Sequence, residues 1–148
     1  MLLEDDLRAG VVLGIFRANN LLLRAGGRLA GGAGLDSVQQ WLCLGEIARS
    51  GELSMGELCR STLVTKQNVT AMVDRLSARG LVTTAEDPAD RRVVRVRLTP
   101  QGQRALEGLR EPTRRFNAAA FAGLAASELA ELHRLLSALV ERLRQLEE

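Results

Sequence analysis

The stretch 53–98 constrains the fold of this chain more than any other part, because several helix and strand signals follow one another in it at fixed spacing. Ser54 and Glu57 have the spacing of a capping box, in which each side chain caps a backbone N–H at a helix start. A second helix can begin at Thr65, with Val64 in a hydrophobic-staple position. Because only a few residues separate the two helices, the stretch predicts a helix-turn-helix.

The second helix of this pair has one apolar and one polar face. Its apolar stripe follows helical spacing and consists of Val69, Met72, Val73 and Leu76. Gly80 then suits the end of the helix. The opposite face carries short or hydrogen-bonding side chains, namely Lys66, Gln67, Thr70, Ala71 and Asp74. Such side chains can pair with base edges or touch a thymine methyl in the major groove, so this face is the predicted DNA-reading surface. Asn68 lies between the two faces and could serve only the helix start.

Two segments rich in β-branched residues follow, 81–86 and 92–98, and they predict a two-stranded hairpin. The loop between them ends at Arg91 and Arg92, which are suited to a narrow minor groove or to phosphates. Residues 54–97 contain eight basic and five acidic residues, a balance of +3. That balance is compatible with a phosphate-facing surface but does not establish one.

Helices are predicted on both sides of this lobe. One apolar helix covers about residues 4–30, and a buried helix starts at Asp36 with Gln39 as its capping partner. Further helices follow from Thr99. In the last of them the leucines alternate spacings of three and four, at Leu129, Leu132, Leu136, Leu139, Leu143 and Leu146. This heptad-like seam suits packing against another copy of the chain.

The prediction is therefore a mainly α fold with a small β-wing. A winged helix-turn-helix lobe at about 36–98 is flanked by N- and C-terminal dimerisation helices, at about 4–30 and 99–147, within a single domain over 1–148. No apolar run is long enough to cross a membrane, and the acidic start lacks a signal-peptide pattern. Two cysteines are too few for a disulfide framework. We therefore expect a cytoplasmic protein with no membrane partner.

The runs TKQNVTAMVDRLSARGLV (65–82) and DPADRRVVRVRLTPQG (87–102) closely resemble the MarR family (multiple antibiotic resistance regulators) of bacterial transcription regulators. The resemblance implies a homodimer whose terminal helices interlock, with each lobe placing a recognition helix in the major groove and a wing in the minor groove of a pseudo-palindromic duplex. The predicted DNA contacts are Ser54, Thr65, Lys66, Gln67, Asn68, Thr70, Ala71, Arg75, Arg91 and Arg92. The resemblance also implies that Asp74 pairs with a wing arginine, and Asp90 is a second predicted wing-positioning acid.

The usual role of the family is repression, relieved when a small molecule or an oxidant changes the spacing of the two lobes. Family pockets lie between the DNA-binding lobe and the dimerisation helices, and here that implies a pocket near Asn19, Asn20, Arg24 and Trp41. Trp41 is more readily explained as a core residue than as a ligand contact. Peroxide-sensing members carry a reactive cysteine in the first helix, where this chain has none, so Cys43 and Cys59 are read as small buried residues.

Two other functions are alternatives to a DNA-binding regulator. The first is a winged-helix module that binds protein without specific DNA binding, which the small basic balance leaves open. The second is an enzyme, which nothing supports: no nucleophile–base pairing or phosphate-cradling loop is recognisable. His133 is the only histidine, which makes a metal site or a histidine-based catalytic centre improbable. No cofactor is predicted.

Overall fold

The computed structural model describes residues 2–62 and 65–147, and in these ranges the chain forms six helices and three short strands. In order, the elements are α1 (Leu2–Gly32), α2 (Val38–Ser50), β1 (Leu53–Ser54), α3 (Met55–Thr62), α4 (Lys66–Ala78), β2 (Val82–Glu86), β3 (Val94–Leu98), α5 (Pro100–Ala120) and α6 (Ala126–Glu147). The chain divides into two compact units, Met1–Pro112 and Thr113–Glu148. The mainly α architecture with a small β-wing confirms the predicted fold class.

The sheet is antiparallel, with strand order β1-β3-β2. The predicted hairpin is confirmed, with Val82 opposite Leu98 and Glu86 opposite Val94. The prediction missed β1, whose Leu53 pairs with Val96 on the free edge of β3. Two residues are too short a strand to show a period in sequence, and the helix-start signal that follows immediately hid it.

The core of the first unit lies between α2, α3, α4 and the sheet. The predicted stripe of α4 is confirmed, since all four of its members are buried: Val69, Met72, Val73 and Leu76. The buried face of α2 consists of Gln40, Cys43, Leu44 and Ile47. The prediction that this helix is buried was wrong for Leu42, which is 55% exposed, and for Ala48, which is exposed.

The capping box predicted at the start of α3 is confirmed. Both arms of the capping box of α3 are present, because the Ser54 N–H donates to Glu57 and the Glu57 N–H donates to the Ser54 hydroxyl. The predicted cap of α2 was wrong by one residue: Ser37 is the N-cap and accepts from the Gln40 N–H. Val64, predicted to precede α4 as a staple, lies outside the described residues.

The long outer helices keep most of their apolar side chains exposed in the single chain. Near its C-terminal end α1 packs on α2, where a Cβ at Gly26 would stand 2.7 Å from the Val38 side chain. Toward its N-terminus Leu7, Val11 and Phe16 are exposed, and α6 contains no buried residue. None of the helices in the described ranges has an apolar stretch long enough to cross a membrane.

Candidate nucleic-acid interface

Helix α4 presents the predicted reading face because both of its ends and one side are fixed. Thr65 caps its start by accepting a hydrogen bond of 3.4 Å from the Asn68 N–H. Its end turns at Gly80, whose φ of +72° is readily adopted only by a residue without a side chain. The Leu81 N–H closes this turn on the Leu76 carbonyl at 2.9 Å. With the apolar stripe buried, the opposite face is left toward solvent.

The residues predicted to contact DNA from α4 are placed on that open face. Lys66, Gln67, Asn68 and Thr70 are exposed, and Ala71 is half-buried. The Thr70 hydroxyl donates to the Lys66 carbonyl at 2.9 Å, so its proton is used within the helix. Arg75 is exposed, and its Nε–H donates to the Ala71 carbonyl at 3.3 Å.

A cleft of about 610 Å³ separates α4 from the wing formed by β2, β3 and their connecting loop. Its walls bring together residues from three parts of the sequence: Ser54, Met55 and Gly56 at the start of α3; Lys66, Thr70, Val73 and Asp74 on α4; and Thr84, Arg92, Val93 and Val94 on the wing. Five predicted site residues therefore line one concave surface. Asp74 and Arg92 are both in its walls, yet Asp74 forms no ion pair within the described ranges, so its predicted wing contact stays a prediction.

The wing tip contains the second predicted cluster. Arg92 donates to Asp90 from its Nε at 3.1 Å and from its backbone N–H at 3.0 Å. The side-chain bond from Arg92 is the main reason that the pKa of the Asp90 carboxyl lies below its ordinary value. Arg91 is exposed and has no acidic partner among residues 2–62 and 65–147. Within these ranges the tip therefore offers one guanidinium without an acidic partner, that of Arg91, beside the paired guanidinium of Arg92.

Sequence reasoning missed the contacts that hold the wing to the lobe. The Arg95 Nε–H on β3 donates to Asp87 at 2.7 Å, and Arg95 Nη1 lies 3.6 Å from Glu57 at the start of α3. The hydrogen bond from Arg95 is the main reason that the pKa of Asp87 is lowered. The pKa of Glu57 is lowered chiefly by its bond to the Ser54 N–H. Arg95 thus connects the wing loop, the central strand and the capping box.

A second missed contact joins Arg97 on β3 to Glu52, just before β1. The alternation of Arg95 and Arg97 with apolar residues was visible in sequence, as were the acids at Glu52 and Glu57. What was missing is the strand register, Ser54 opposite Arg95, which brings these charges side by side. Without β1 in the prediction, the pairing could not be inferred.

The residues predicted to form an effector pocket are less closely associated. Asn19, Asn20 and Arg24 are exposed on α1, whereas Trp41 is half-buried on α2 beside Gly26. None of the four lines the cleft between α4 and the wing. The effector pocket therefore stays a prediction.

Cys43 is expected to be unreactive toward thiol reagents at neutral pH. Its side chain is buried, and this burial raises the pKa of the thiol to about 11. At pH 7.5 only about three in ten thousand Cys43 side chains are then thiolates, the form that reacts. Iodoacetamide labelling read by mass spectrometry should modify the half-exposed Cys59 before Cys43.

The Cys59→Ser variant provides the control for this prediction. It should resist alkylation until the chain is unfolded in denaturant. Rapid labelling of native Cys59→Ser at Cys43, or a loss of duplex affinity in hydroperoxide, would contradict the reading of Cys43 as a core residue.

The helix pair, the exposed polar face of α4 and the arginine-tipped hairpin define a winged helix-turn-helix, the class of fold that carries many DNA-binding proteins. The sequence model of the MarR family matches residues 33–93. The chain is also 32% identical to the HTH-type transcriptional repressor IacR of Pseudomonas putida, over 74% of this chain and 65% of that protein. The chain therefore belongs to the MarR family of transcription regulators.

Two further relatives extend the comparison. The transcriptional activatory protein BadR of Rhodopseudomonas palustris is 33% identical over 66% of this chain and 57% of its own length. The solved structure of Bordetella bronchiseptica BpsR, whose DNA binding is regulated by 6-hydroxynicotinic acid, superposes with a TM-score of 0.64. It is 27% identical, over 84% of this chain and 98% of that one. The chain spans less than two thirds of the length of IacR and of BadR.

Proposed function

We propose that this protein is a dimeric, sequence-specific DNA-binding transcription regulator. The observation that carries the proposal is the surface formed by the exposed face of α4 and the Arg91–Arg92 wing tip, which flank one cleft. Gln67 and Lys66 can read base edges in the major groove, and the exposed Arg91 can enter the adjacent minor groove. Ser54, Thr65 and Arg75 are proposed to contact the phosphates, which position the helix without reading sequence.

A second copy of the chain is the proposed partner at the two outer helices. Exposed apolar residues recur along α1. In α6 no residue is buried, so the leucine seam of this helix is not covered within the single chain. Monomeric proteins rarely expose large contiguous apolar patches, so exposed apolar residues recurring along two helices support a partner surface there. A twofold dimer would present two reading helices to half-sites about one helical turn apart, so we propose a pseudo-palindromic operator.

We further propose that the protein represses transcription in the cytoplasm and that a small molecule releases it. IacR is named a repressor and BpsR is regulated by a small molecule, which supports this choice, whereas BadR is named an activator. Asn19, Asn20, Arg24 and Trp41 remain the candidate effector residues. An effector that prefers the wrongly spaced dimer a hundredfold would contribute about 2.7 kcal/mol, enough to empty a marginally occupied operator.

The proposal is tested by selecting bound sites from a random duplex pool and then measuring affinity for the selected site across salt concentrations. Arg91→Ala should weaken binding to every duplex and lower the salt slope by about 1, because one phosphate-proximal charge is lost. Gln67→Ala should lose about 1–3 kcal/mol of discrimination at one base pair.

Arg134→Ala is the matched control, since its ion pair with Glu131 at 2.7 Å stays within α6. It should leave both the salt slope and the base preference unchanged. Equal binding of wild type and variants to the selected and a scrambled duplex would rule out sequence reading. Absence of any duplex binding at low salt would favour a module that binds protein instead.

A further inference from the structure

Arg79, the C-cap residue of α4, reaches the turn between α1 and α2 with its side chain. Its guanidinium donates to the Gly34 carbonyl, lies 3.1 Å from the Asp36 carboxylate and donates to Gln40 Oε1 at 3.4 Å. Gln40 is buried at 3% exposure and also accepts from the Asp36 N–H at 2.9 Å. All acceptors of the guanidinium thus belong to one small polar network.

The turn that receives Arg79 is itself fixed to the end of α1. The Leu35 N–H donates to the Ala30 carbonyl at 2.9 Å, and the Leu35 side chain is buried in the core. Gly34 has a φ of +79°, which lets the chain reverse directly after the helix. A displacement of the end of α1 is therefore transmitted to Gly34, Asp36 and Gln40 together.

The Arg79 contacts are better suited to orienting α4 than to stabilising the lobe. The Arg79 and Asp36 side chains are 38% and 60% exposed, and ion pairs of such exposure add little stability. Burial of the α4 stripe holds that helix in the lobe but is not directional. The hydrogen bonds that a planar guanidinium makes to three acceptors are directional, so they restrict rotation and sliding of α4 against the turn.

We propose that Arg79 is a positioning residue that fixes the reading helix relative to α1 and so makes half-site spacing part of the protein's specificity. This inference rests on the proposed function, in which α1 contributes to the dimer and α4 reads DNA. Moving α4 relative to α1 changes the separation of the two reading helices, which must match half-sites about 34 Å apart.

The test uses the full chain and a family of duplexes built from the selected operator. The separation of the half-sites is lengthened or shortened by one and two base pairs, and one duplex carries a single half-site. Wild type should bind the native spacing at least about tenfold more tightly than the altered ones, since misaligned helices cannot both engage. In Arg79→Met this preference should fall to about threefold or less, with single half-site affinity within about twofold of wild type.

Two further variants make the result specific. Arg79→Lys keeps the positive charge but loses the fixed planar arrangement of donors, so its spacing preference should be intermediate. Arg49→Met removes an arginine whose ion pair with Glu46, at 2.7 Å, stays within α2, and it should keep the wild-type preference. If Arg79 and Asp36 act as one unit, Arg79→Met combined with Asp36→Asn should change the preference no more than Arg79→Met alone.

The outcomes separate this inference from the proposed function. A wild-type preference that Arg79→Met retains would overturn the inference alone. An equal loss of affinity on all duplexes, the single half-site included, would show a merely structural role and also overturn it. A wild-type chain without sequence or spacing preference would overturn the proposed dimeric readout, and the inference with it.

Discussion

Replacing Gly102 by alanine is expected to destabilise the first unit by about 3 kcal/mol, the upper range for overpacking. A Cβ at this position would stand 2.0 Å from the Leu81 carbonyl oxygen, which is backbone and cannot rotate away. Gly102 is also fixed in place, because its N–H donates to the Thr99 cap of α5 at 3.1 Å while the Thr99 N–H donates to Leu81. Urea unfolding followed by circular dichroism measures the change.

Gly108→Ala provides the control within the same helix. A Cβ there meets nothing within 4 Å, so the substitution should stabilise the chain by up to about 1 kcal/mol through helix propensity. If both variants shift the urea midpoint equally, the close approach of α5 to Leu81 does not determine stability.

Gly102 also illustrates what sequence could and could not provide. Gly102 is the last residue of the run 87–102 that resembles the MarR family, and the predicted helix start at Thr99 is confirmed by the bond from the Gly102 N–H to the Thr99 hydroxyl. The reason for the glycine is a backbone that lies far away along the chain, and no local rule identifies it. The capping box of α3 and the stripe of α4 were predictable because each depends on residues within one or two helical turns.

The start of α2 shows how a local rule can fail by one residue. Asp36 and Ser37 are both good N-caps, and glutamines at Gln39 and Gln40 give each the same three-residue spacing to a partner. Burial decides between them, since Gln40 is in the core while Gln39 is exposed. Burial is set by tertiary packing and is not visible in the pattern of caps.

In the candidate site, too, local features could be predicted from sequence and long-range contacts could not. The polar face of α4 follows from its apolar stripe, so sequence could place those side chains toward solvent. The attachments of the site could not be predicted, because Arg97 reaches Glu52 and Arg79 reaches Gly34 across 45 residues each. The orientation of wing and helix therefore depends on charges whose partners are determined by topology.

The apolar face of α1 gives the reason to expect a large effect at the proposed dimer interface. Gly26, Leu29 and Ala30 on this face contact the lobe near the end of the helix. At helical intervals the same face continues toward the N-terminus as Val11, Ile15 and Leu22, where Val11 and Leu22 are 51% exposed. A polar stripe confined to about 40° of the helix circumference lies elsewhere and contains Asp6, Arg17, Arg24 and Arg28.

Val11→Glu is expected to weaken dimerisation at least about a hundredfold, or about 2.7 kcal/mol, because a twofold interface would bury the carboxylate once in each copy. The monomer itself should stay folded, since Val11 is exposed in the single chain. Analytical ultracentrifugation across protein concentrations measures the dissociation constant. Affinity for the full operator should fall by at least about a hundredfold as the advantage of two linked half-sites is lost, with single half-site affinity retained.

The control for this prediction is Arg17→Glu, which makes a larger charge change on the polar stripe of the same helix and should leave the dimer intact. Leu136→Glu tests the seam of α6 independently, and its leucine is likewise exposed in the single chain. Dimers of undiminished stability in both Val11→Glu and Leu136→Glu would mean that neither outer face is covered by a second copy. Dissociation by Arg17→Glu as well would point to a general effect of charge on α1 and contradict a face-specific interface.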